Sequence, residues 1–195
     1  MQYLLDFLRK WESKGKRELL NGTKLICPVP HIAPQAWLHQ IYAQLSELQI
    51  IELEKELPIS LPKDFKDFLS HANGINIFSD SLSIWGLRNS YVRTGDEAIQ
   101  PYSLSDLNAE RPRGCPDSWL FFGSYSWDGS RVMFDLKEGI GSNNKVYLCL
   151  RNSTIIIKEW SSLWDWVIAE VERLGRMYDE NGVVIDDNMP TSPVY

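Results

Sequence analysis

Histidine and cysteine, which serve as base and nucleophile in many catalytic sites, are scarce in this sequence. Its 195 residues contain three histidines and three cysteines: His31, His39, His71, Cys27, Cys115 and Cys149. A catalytic serine or cysteine needs a base beside it, and that base needs a third group to orient it. None of the motifs HExxH, GxSxG or the Walker A loop occurs in the chain. The sequence therefore predicts no catalytic residues and no enzymatic activity.

A metal site is conceivable only around Cys27, His31 and His39, which lie close together in the sequence. A structural zinc ion takes four protein ligands, and the chain has no CxxC pair that would supply more. We therefore predict no metal and no cofactor. Widely spaced cysteines in odd number are expected to stay unpaired, as is typical of the reducing cytosol.

Acidic side chains are numerous, but local structure explains most of them. Glu52, Glu54 and Glu56 do not share one face of a helix, so we expect them on a solvated surface. Asp128 lies in a hairpin turn, and Asp135 ends a strand, where it is expected to cap a turn. A glycosidase-type pair of carboxylates stays open, because the distance between two acids in space cannot be read from their spacing in sequence.

Aromatic residues are the stronger candidates for function. Trp127 lies in a predicted turn between two strands, where an apolar ring has no obvious core to fill. Because Trp, Tyr and Arg dominate interface hot spots, we predict that Trp127 and Asp128 contact a partner. Weaker candidates of the same kind are Tyr125, Tyr91 and Arg93. The alternative for Trp127 is packing on the loop from Arg88 to Ser118. By contrast, the tryptophans near the last helix are expected in the core and at its margin: Trp160, Trp164 and Trp166.

The charge balance narrows the class of partner. The chain has 20 basic and 26 acidic residues, a formal net charge of −6 and a pI near 5.1. Nucleic-acid-binding proteins usually carry a basic patch that their net charge reveals, so no nucleic acid is expected, and an acidic surface favours a basic partner. The chain lacks an apolar run of membrane-spanning length and the pattern of a signal peptide. We therefore expect a cytoplasmic protein that binds no membrane.

The hydrophobic pattern predicts helices first, then strands, then a final helix. Predicted helices span residues 2–20, 34–48, 50–57, 62–73 and 162–174, and whether 34–57 forms one helix or two stays open. Predicted strands span residues 24–29, 75–77, 82–87, 118–123, 131–136, 145–150 and 154–157. Asp128-Gly129 marks a hairpin, and residues 88–118 read as a long loop with one helical turn at 104–109. This order is typical of an α+β fold with helices on one face of a mostly antiparallel sheet.

The stretch from Leu57 to Leu87 carries a recognisable motif. It consists of Leu61-Pro62, Phe65, Phe68-Leu69, Asn73-Gly74 and Trp85-Gly86-Leu87. This pattern resembles the signature of the SUKH superfamily, which includes the yeast cell-wall-synthesis regulators and many bacterial immunity proteins. The resemblance covers roughly residues 50–175 and continues through Phe121-Phe122-Gly123, Asp128-Gly129 and Phe134-Asp135. The following motif residues are interpreted as structural: Pro62, Phe65, Phe68, Asn73, Gly74 and Gly86.

The resemblance implies a SUKH-like fold, in which an antiparallel meander packs on helices. We expect a helical N-terminal extension at 1–48, the SUKH-like domain at 49–177 and a partly disordered tail at 178–195. The extension lies outside the family pattern, so a helical cap, a dimerisation surface and a partner-specific arm all stay open for it. A homodimer therefore stays open as well.

The resemblance also implies a non-enzymatic protein-binding module. In bacteria such a module commonly serves as an immunity protein that neutralises a cognate toxin by occluding the active site, and here the partner would be a basic toxin domain. Charge complementarity would accelerate that association more than it would set the final affinity. The alternatives are a regulatory scaffold of the cell-wall-synthesis-regulator type and a carboxylate-dependent hydrolase.

Overall fold

The computed structural model describes residues 1–137 and 144–193. The strands within these residues are β1 (Lys16–Glu18), β2 (Lys24–Pro28), β3 (Trp37–Ile41), β4 (Ile75–Ile77), β5 (Leu82–Ile84), β6 (Trp119–Tyr125), β7 (Arg131–Asp135), β8 (Val146–Cys149) and β9 (Ile156–Trp160). The helices are α1 (Gln2–Leu8), α2 (Glu47–Lys55), α3 (Lys63–Leu69), α4 (Leu104–Ala109) and α5 (Leu163–Gly175), with 3-10 segments at Arg9–Lys14 and Asp96–Ala98. All strands join one sheet in chain order, and each pairs antiparallel with the next. The predicted α+β class with an antiparallel meander is confirmed.

The two faces of the sheet are covered differently. Successive side chains of a strand point to opposite faces, and β6 is apolar on both. Leu120 and Phe122 belong to the main core, which apolar residues of α1, α2, α3 and α5 complete. Trp119 and Phe121 belong to a second, smaller cluster. The members of that cluster are Leu107, Trp119, Phe121, Met133 and Cys149. We call the side with the main core the core face and the side with the smaller cluster the outer face.

The motif stretch supplies the centre of the core face. Helix α3 begins directly after Pro62, as predicted, and its residues Phe65 and Phe68 are fully buried. The Phe65 ring lies 5.2 Å from the ring of Phe122 and 6.0 Å from that of Phe134. The helical spacing of the apolar residues therefore places one stripe of α3 against the middle of the sheet.

The polar and glycine residues of the motif join α3 to the strands. The Asn73 amide donates to the carbonyl oxygen of Leu87 at 2.7 Å and accepts from the Leu87 N–H at 2.6 Å. Gly74 has a φ of +87°, and a Cβ at this position would lie 2.4 Å from the carbonyl oxygen of Ile84. A Cβ on Gly86 would lie 2.3 Å from Asn73 Oδ1. Only a residue without a side chain fits at either glycine position.

The predicted helix at residues 34–48 is wrong. Residues Trp37–Ile41 form β3, which lies between β2 and β4. The proposed stripe fails at its end, because Leu48 is exposed while Leu38 and His39 are buried. The helix starts later because Ser46 forms a capping box with Gln49, so α2 begins at Glu47. The pairing of β3 with two neighbouring strands outweighs its helix-compatible apolar spacing.

The predicted helix at residues 2–20 is too long. Its helical part ends with the 3-10 segment at Lys14, and Gly15 has a φ of +138°. Residues Lys16–Glu18 then form β1. The N-terminal part of the chain therefore contains one helix and three strands. Its last strand, β3, pairs with β4, with His39 opposite Ile77 and Ile41 opposite Ile75. The prediction that the extension and the SUKH-like domain are separate units, divided at residue 48, stays a prediction.

The described part of the tail packs on the domain, in contrast to the disorder expected there. The Tyr178 hydroxyl donates to the carbonyl oxygen of Phe78 at 3.0 Å and lies 2.7 Å from the Ser81 Oγ. Arg173 of α5 donates to the Thr191 carbonyl at 2.6 Å, and Ser192 is buried. No helix in the described residues is long and apolar enough to cross a lipid bilayer.

Candidate partner-binding surface

The turn between β6 and β7 presents a large aromatic side chain from a well-fixed backbone. Asp128 Oδ1 accepts from the Ser130 N–H at 2.9 Å, and the Gly129 N–H donates to the Tyr125 carbonyl at 3.0 Å. Gly129 has a φ of +70°, which favours glycine. Trp127 is 49% exposed, and its ring contacts no other ring in the part of the chain that the structure describes. The turn therefore offers Trp127 to solvent, and its partner contact stays a prediction.

Asp128 also ties this turn to the tail. Its second carboxylate oxygen accepts from the Ser192 hydroxyl at 2.8 Å. Both oxygens of Asp128 are thus used within the protein, which gives this residue a role in holding the turn. Contact of Asp128 with a partner stays a prediction. Such a contact would use the lone pairs of the carboxylate that accept no hydrogen bond within the protein.

Tyr125 cannot be a contact residue in this fold, which corrects the prediction made for it. Its ring is fully buried, and its hydroxyl accepts from the Trp166 indole N–H at 3.0 Å. The reason is the bulge between Phe121 and Gly123, which shifts the alternation along β6. Tyr125, the last residue of β6 before the turn, therefore points into the core.

The long loop between β5 and β6 is held on the outer face by α4. The helical turn predicted at residues 104–109 is confirmed as α4, and Asn108 is its key polar residue. The Asn108 side chain donates to the Phe121 carbonyl at 2.8 Å and accepts from the Phe121 N–H at 3.0 Å. This amide takes the place of a neighbouring strand along part of β6. Leu107 packs beside it in the outer-face cluster.

Tyr91 and Arg93 lie on this same loop. Tyr91 is 67% exposed, its hydroxyl donates to the Asp106 carboxylate of α4, and the Arg88 guanidinium lies 4.9 Å from its ring centre. Arg93 is exposed and makes no ion pair with any residue in the described ranges. The structure thus anchors Tyr91 to α4 and leaves Arg93 unanchored.

The N-terminal part of the chain braces that loop. Asn21 donates to the carbonyl oxygens of Asp96 at 2.9 Å and Ile99 at 3.0 Å. The Arg17 guanidinium lies 3.2 Å from the Asp96 carboxylate. Residues outside the predicted SUKH-like domain therefore position a segment that carries two of the predicted contact residues.

A cleft of about 300 Å³ lies between α4 and the turn on the outer face. Its lining includes Asp80, Trp85, Tyr102, Glu110, Arg131 and Arg151, together with Ser126 and Gly129 of the turn. The Trp85 and Tyr102 rings lie 5.1 Å apart, and the Trp85 indole N–H donates to Ser124 Oγ at 3.0 Å. The cleft joins the turn to α4, whose other side binds Tyr91 through Asp106. Sequence reasoning missed this aromatic wall, because nothing in sequence brings Trp85 and Tyr102 to Ser124.

The charges in the cleft are balanced. Arg131 donates to the Glu110 carbonyl at 2.6 Å and lies 3.8 Å from its carboxylate, while Arg151 lies beside Gly129. Burial raises the pKa of Asp80, and its hydrogen bond with Asn76 opposes that rise. Asp80 also has a φ of +65°, after two residues that are likewise left-handed. Its place in the cleft depends on this strained turn, which sequence spacing alone does not reveal.

The side chains that could bind a metal ion do not gather at one place in the described part of the chain. No group of three or more His, Cys, Asp or Glu side chains in the described ranges could hold a metal ion. Cys27 and His39 are buried, and burial, together with the charge of Lys10, lowers the pKa of His39 to about 3. Burial raises the pKa of the Cys149 thiol to about 11, so it stays protonated at neutral pH.

Comparison with known proteins agrees with the motif. The family model described as SMI1 / KNR4 family (SUKH-1) matches residues 44–169, about two thirds of the chain. The match begins just before α2 and ends within α5, so it includes α4, the turn and the cleft. No curated protein matches the chain.

Proposed function

The chain belongs to the SMI1/KNR4 family (SUKH-1), and from this premise we propose that it is an immunity protein that neutralises a cognate bacterial toxin. Proteins of this family are generally non-enzymatic immunity or regulator proteins that bind other proteins. The finer proposal is that the partner is a basic toxin domain whose active site is occluded. Three free thiols in the chain support a reducing, cytoplasmic location.

One observation carries the proposed contact: Trp127 is half exposed on a turn whose backbone is fixed on both sides. A rigid, exposed aromatic side chain loses little conformational entropy on binding, and tryptophan is enriched among interface hot spots. The cleft beside it offers an aromatic wall for a side chain of the partner. Tyr91 and Arg93 extend the proposed contact surface beyond α4.

The distribution of charge supports a basic partner. Residues 165–187, which comprise most of α5 and the tail, contain seven acidic and two basic residues and so account for most of the net charge of −6. The tail reaches the turn, where Ser192 binds Asp128. A basic domain would be attracted by the net negative charge of the molecule, and its association would slow as salt is added.

The experiment takes the product of the neighbouring gene as the candidate toxin and measures its binding to this chain by calorimetry and its activity with and without the chain. We expect a tight complex and inhibition, and we expect Trp127→Ala to weaken binding at least about tenfold, as hot-spot truncations do. Leu48→Ala, which removes an exposed leucine from α2, serves as the matched control and should bind normally.

Two results would contradict the proposal in different ways. If the toxin domain neither binds nor is inhibited, the toxin partner is wrong, and capture of only endogenous signalling or cell-wall proteins would favour the regulator role. If binding is tight but Trp127→Ala leaves the affinity unchanged, the function stands and the contact surface is wrong.

A further inference from the structure

The outer face of the sheet carries polar side chains beneath the cleft. Leu82 and Ile84 of β5 belong to the main core, so Ser83 between them points to the outer face. Its register partners on the two neighbouring strands, Asn76 of β4 and Ser124 of β6, are polar as well. Ser83 and Ser124 form part of the lining of the cleft. The floor of the cleft is therefore polar, although the other face of β5 belongs to the main core.

Asp80 is the acidic group at one end of this floor. It lies in the turn between β4 and β5, and it forms no ion pair within residues 1–137 and 144–193. Its carboxylate has a hydrogen bond with the side chain of Asn76, which is 6% exposed and whose Oδ1 has no partner in those same ranges. A partly buried carboxylate without a counter-ion thus lies beside a buried acceptor without a donor. A bound cation would offset part of the free energy that their burial costs.

The wall of the cleft near Asp80 is aromatic. The rings of Trp85 and Tyr102 lie 5.1 Å apart, and Tyr102 is 41% exposed. Burial raises the pKa of Tyr102, and the charge of Asp80 adds to that rise, so the carboxylate and the phenol lie close enough to interact. The face of an aromatic ring attracts cations. The wall and the carboxylate therefore favour the same kind of group.

Two arginines also line the cleft, but neither neutralises Asp80. Arg131 donates to the Glu110 carbonyl at 2.6 Å and lies 3.8 Å from the Glu110 carboxylate. Arg151 follows β8, and three strand spacings of about 4.8 Å separate β8 from β5, which Asp80 precedes. Arg151 is exposed and lies over Gly129, so water screens its charge more than that of the partly buried Asp80. The total charge of the cleft is balanced, whereas the end at Asp80 is acidic.

We propose that the cleft binds an arginine side chain of the partner, with the Asp80 carboxylate as counter-ion and the Trp85 and Tyr102 rings as the surface on which the guanidinium stacks. This inference rests on the proposed function, because a basic toxin domain is the partner that would supply the arginine. A volume of about 300 Å³ lies at the lower end of the range for ligand pockets, which suits one side chain better than a larger ligand. Trp127 on the adjoining turn would contact the partner beside that arginine.

Arginine suits this cleft better than lysine. Its planar guanidinium carries five N–H donors, is weakly hydrated and stacks on aromatic faces. Acceptors are present in the carboxylate of Asp80 and in the hydroxyls of Ser83 and Ser126. A lysine ammonium is a strongly hydrated point charge, so it loses more on leaving water and gains less from the rings.

The first experiment titrates the isotope-labelled full chain with N-acetylarginine amide and records NMR spectra. We expect saturable shifts of the Trp85 indole N–H and of the Ser83 and Ser124 amides, with a dissociation constant in the millimolar range. N-acetyllysine amide should bind more weakly, and N-acetylcitrulline amide, which has a similar shape without the charge, should not bind. N-acetylglutamate amide should not bind either. Binding of the glutamate probe in place of the arginine probe would mean that Arg151 governs the cleft, and would overturn the proposal.

Two variants of the cleft and one control locate the binding site. Asp80→Asn should abolish the shifts, and the fold should persist because asparagine tolerates the left-handed φ of +65° at this position. Tyr102→Leu keeps an apolar side chain but removes the ring, so it should weaken binding of the arginine probe. Asp187→Asn removes the same charge from an exposed residue of the tail and should bind the probe normally. Equal losses in Asp80→Asn and Asp187→Asn would show that net charge alone attracts the probe, which contradicts the proposal.

Binding to the candidate toxin separates this inference from the proposed function. Asp80→Asn should weaken the complex at least about tenfold more than Asp187→Asn does, because it removes a partly buried counter-ion. If the two variants bind the toxin equally well, the arginine site is wrong and the proposed function stands. If the arginine probe binds in the cleft but the candidate toxin does not bind the chain, the proposed function fails and the preference of the cleft for arginine stands.

Discussion

The core face and the outer face of the sheet use neighbouring residues of one strand in different ways. On the core face, the Phe122 ring lies 4.3 Å from that of Phe134 and 5.3 Å from that of Trp166. On the outer face, the Phe121 ring lies 6.2 Å from that of Trp119, and the Asn108 amide holds the Phe121 backbone. Packing of apolar rings therefore stabilises one face, whereas hydrogen bonds from a short helix stabilise the other. The difference suggests that the core face sets the stability of the domain and the outer face sets the shape of its surface.

The largest effect should come from emptying the core face. Phe122→Ala is expected to cost about 3 to 5 kcal/mol of unfolding free energy, because it leaves a cavity among rings that cannot collapse. Phe121→Ala, the matched change on the outer face, should cost at least about 1 kcal/mol less, because the smaller cluster can relax around it. Urea denaturation of both variants checks this. Equal losses would mean that the two faces contribute alike.

The second test removes the polar clamp of the outer face. Asn108→Ala leaves the buried N–H and carbonyl of Phe121 unpaired, so we expect a loss of about 2 to 4 kcal/mol. Hydrogen exchange should also show faster opening of residues 88–118, because α4 loses its attachment to β6. Asn89→Ala, an exposed asparagine of the same loop, is the control and should change neither measurement. A stable Asn108→Ala variant with a protected loop would show that Leu107 alone holds α4.

A smaller effect is expected from pH at the start of α3. Burial raises the pKa of Asp64 from 3.8 to about 6. The hydrogen bond from the Phe65 N–H to the Asp64 carboxylate opposes this rise, and the negative charge of Asp67 adds to it. Between these two pH values the folded state binds more protons than the unfolded state, so this group makes stability fall as pH rises.

Asp64→Asn isolates this contribution. At neutral pH the variant should be more stable than the natural chain by about 1 kcal/mol. This free energy is smaller than the full pKa shift would give, because solvent screens the charge of a half-buried carboxyl. The gain should vanish below pH 3.8, where Asp64 is protonated in both states. Denaturation midpoints of both proteins across this range provide the measurement. A natural chain that is the more stable at neutral pH would show that the Phe65 hydrogen bond outweighs burial.

The smallest effect on stability should come from the turn. Trp127→Ala removes an exposed ring that no other ring contacts in the described residues, so the unfolding free energy should change by less than about 0.5 kcal/mol. A loss of several times that size would mean that Trp127 packs on the loop from Arg88 to Ser118, the alternative predicted from sequence. The stability of this variant also decides whether its effect on partner binding can be read directly.

Much of the fold follows from local signals. The apolar spacing of Phe65, Phe68 and Leu69 predicted α3, and Asp128-Gly129 predicted the hairpin of β6 and β7. Ser162 predicted the start of α5, where its side chain accepts from the Asp165 N–H. These signals are reliable because the hydrogen bonds that fix a cap or a turn join residues only a few positions apart.

The errors occur where distant segments decide. Residues 34–48 have apolar spacing that suits a helix, yet strands on both sides recruit Trp37–Ile41 into the sheet. Tyr125 precedes a turn, yet a bulge turns it inward to Trp166. In both cases the competing interaction comes from residues far away in the chain, and its strength cannot be read from the segment itself.

The sequence by itself determined the family, the class of fold and the position of Trp127 on a turn, because these depend on local spacing and on a motif of closely placed residues. Only the tertiary structure decided how Asp80, Trp85 and Tyr102 line one cleft and which strands lie at the two edges of the sheet. Both follow from the order in which the strands pair. Pairing joins residues across long stretches of chain, and its free energy belongs to the assembled sheet and to no single segment.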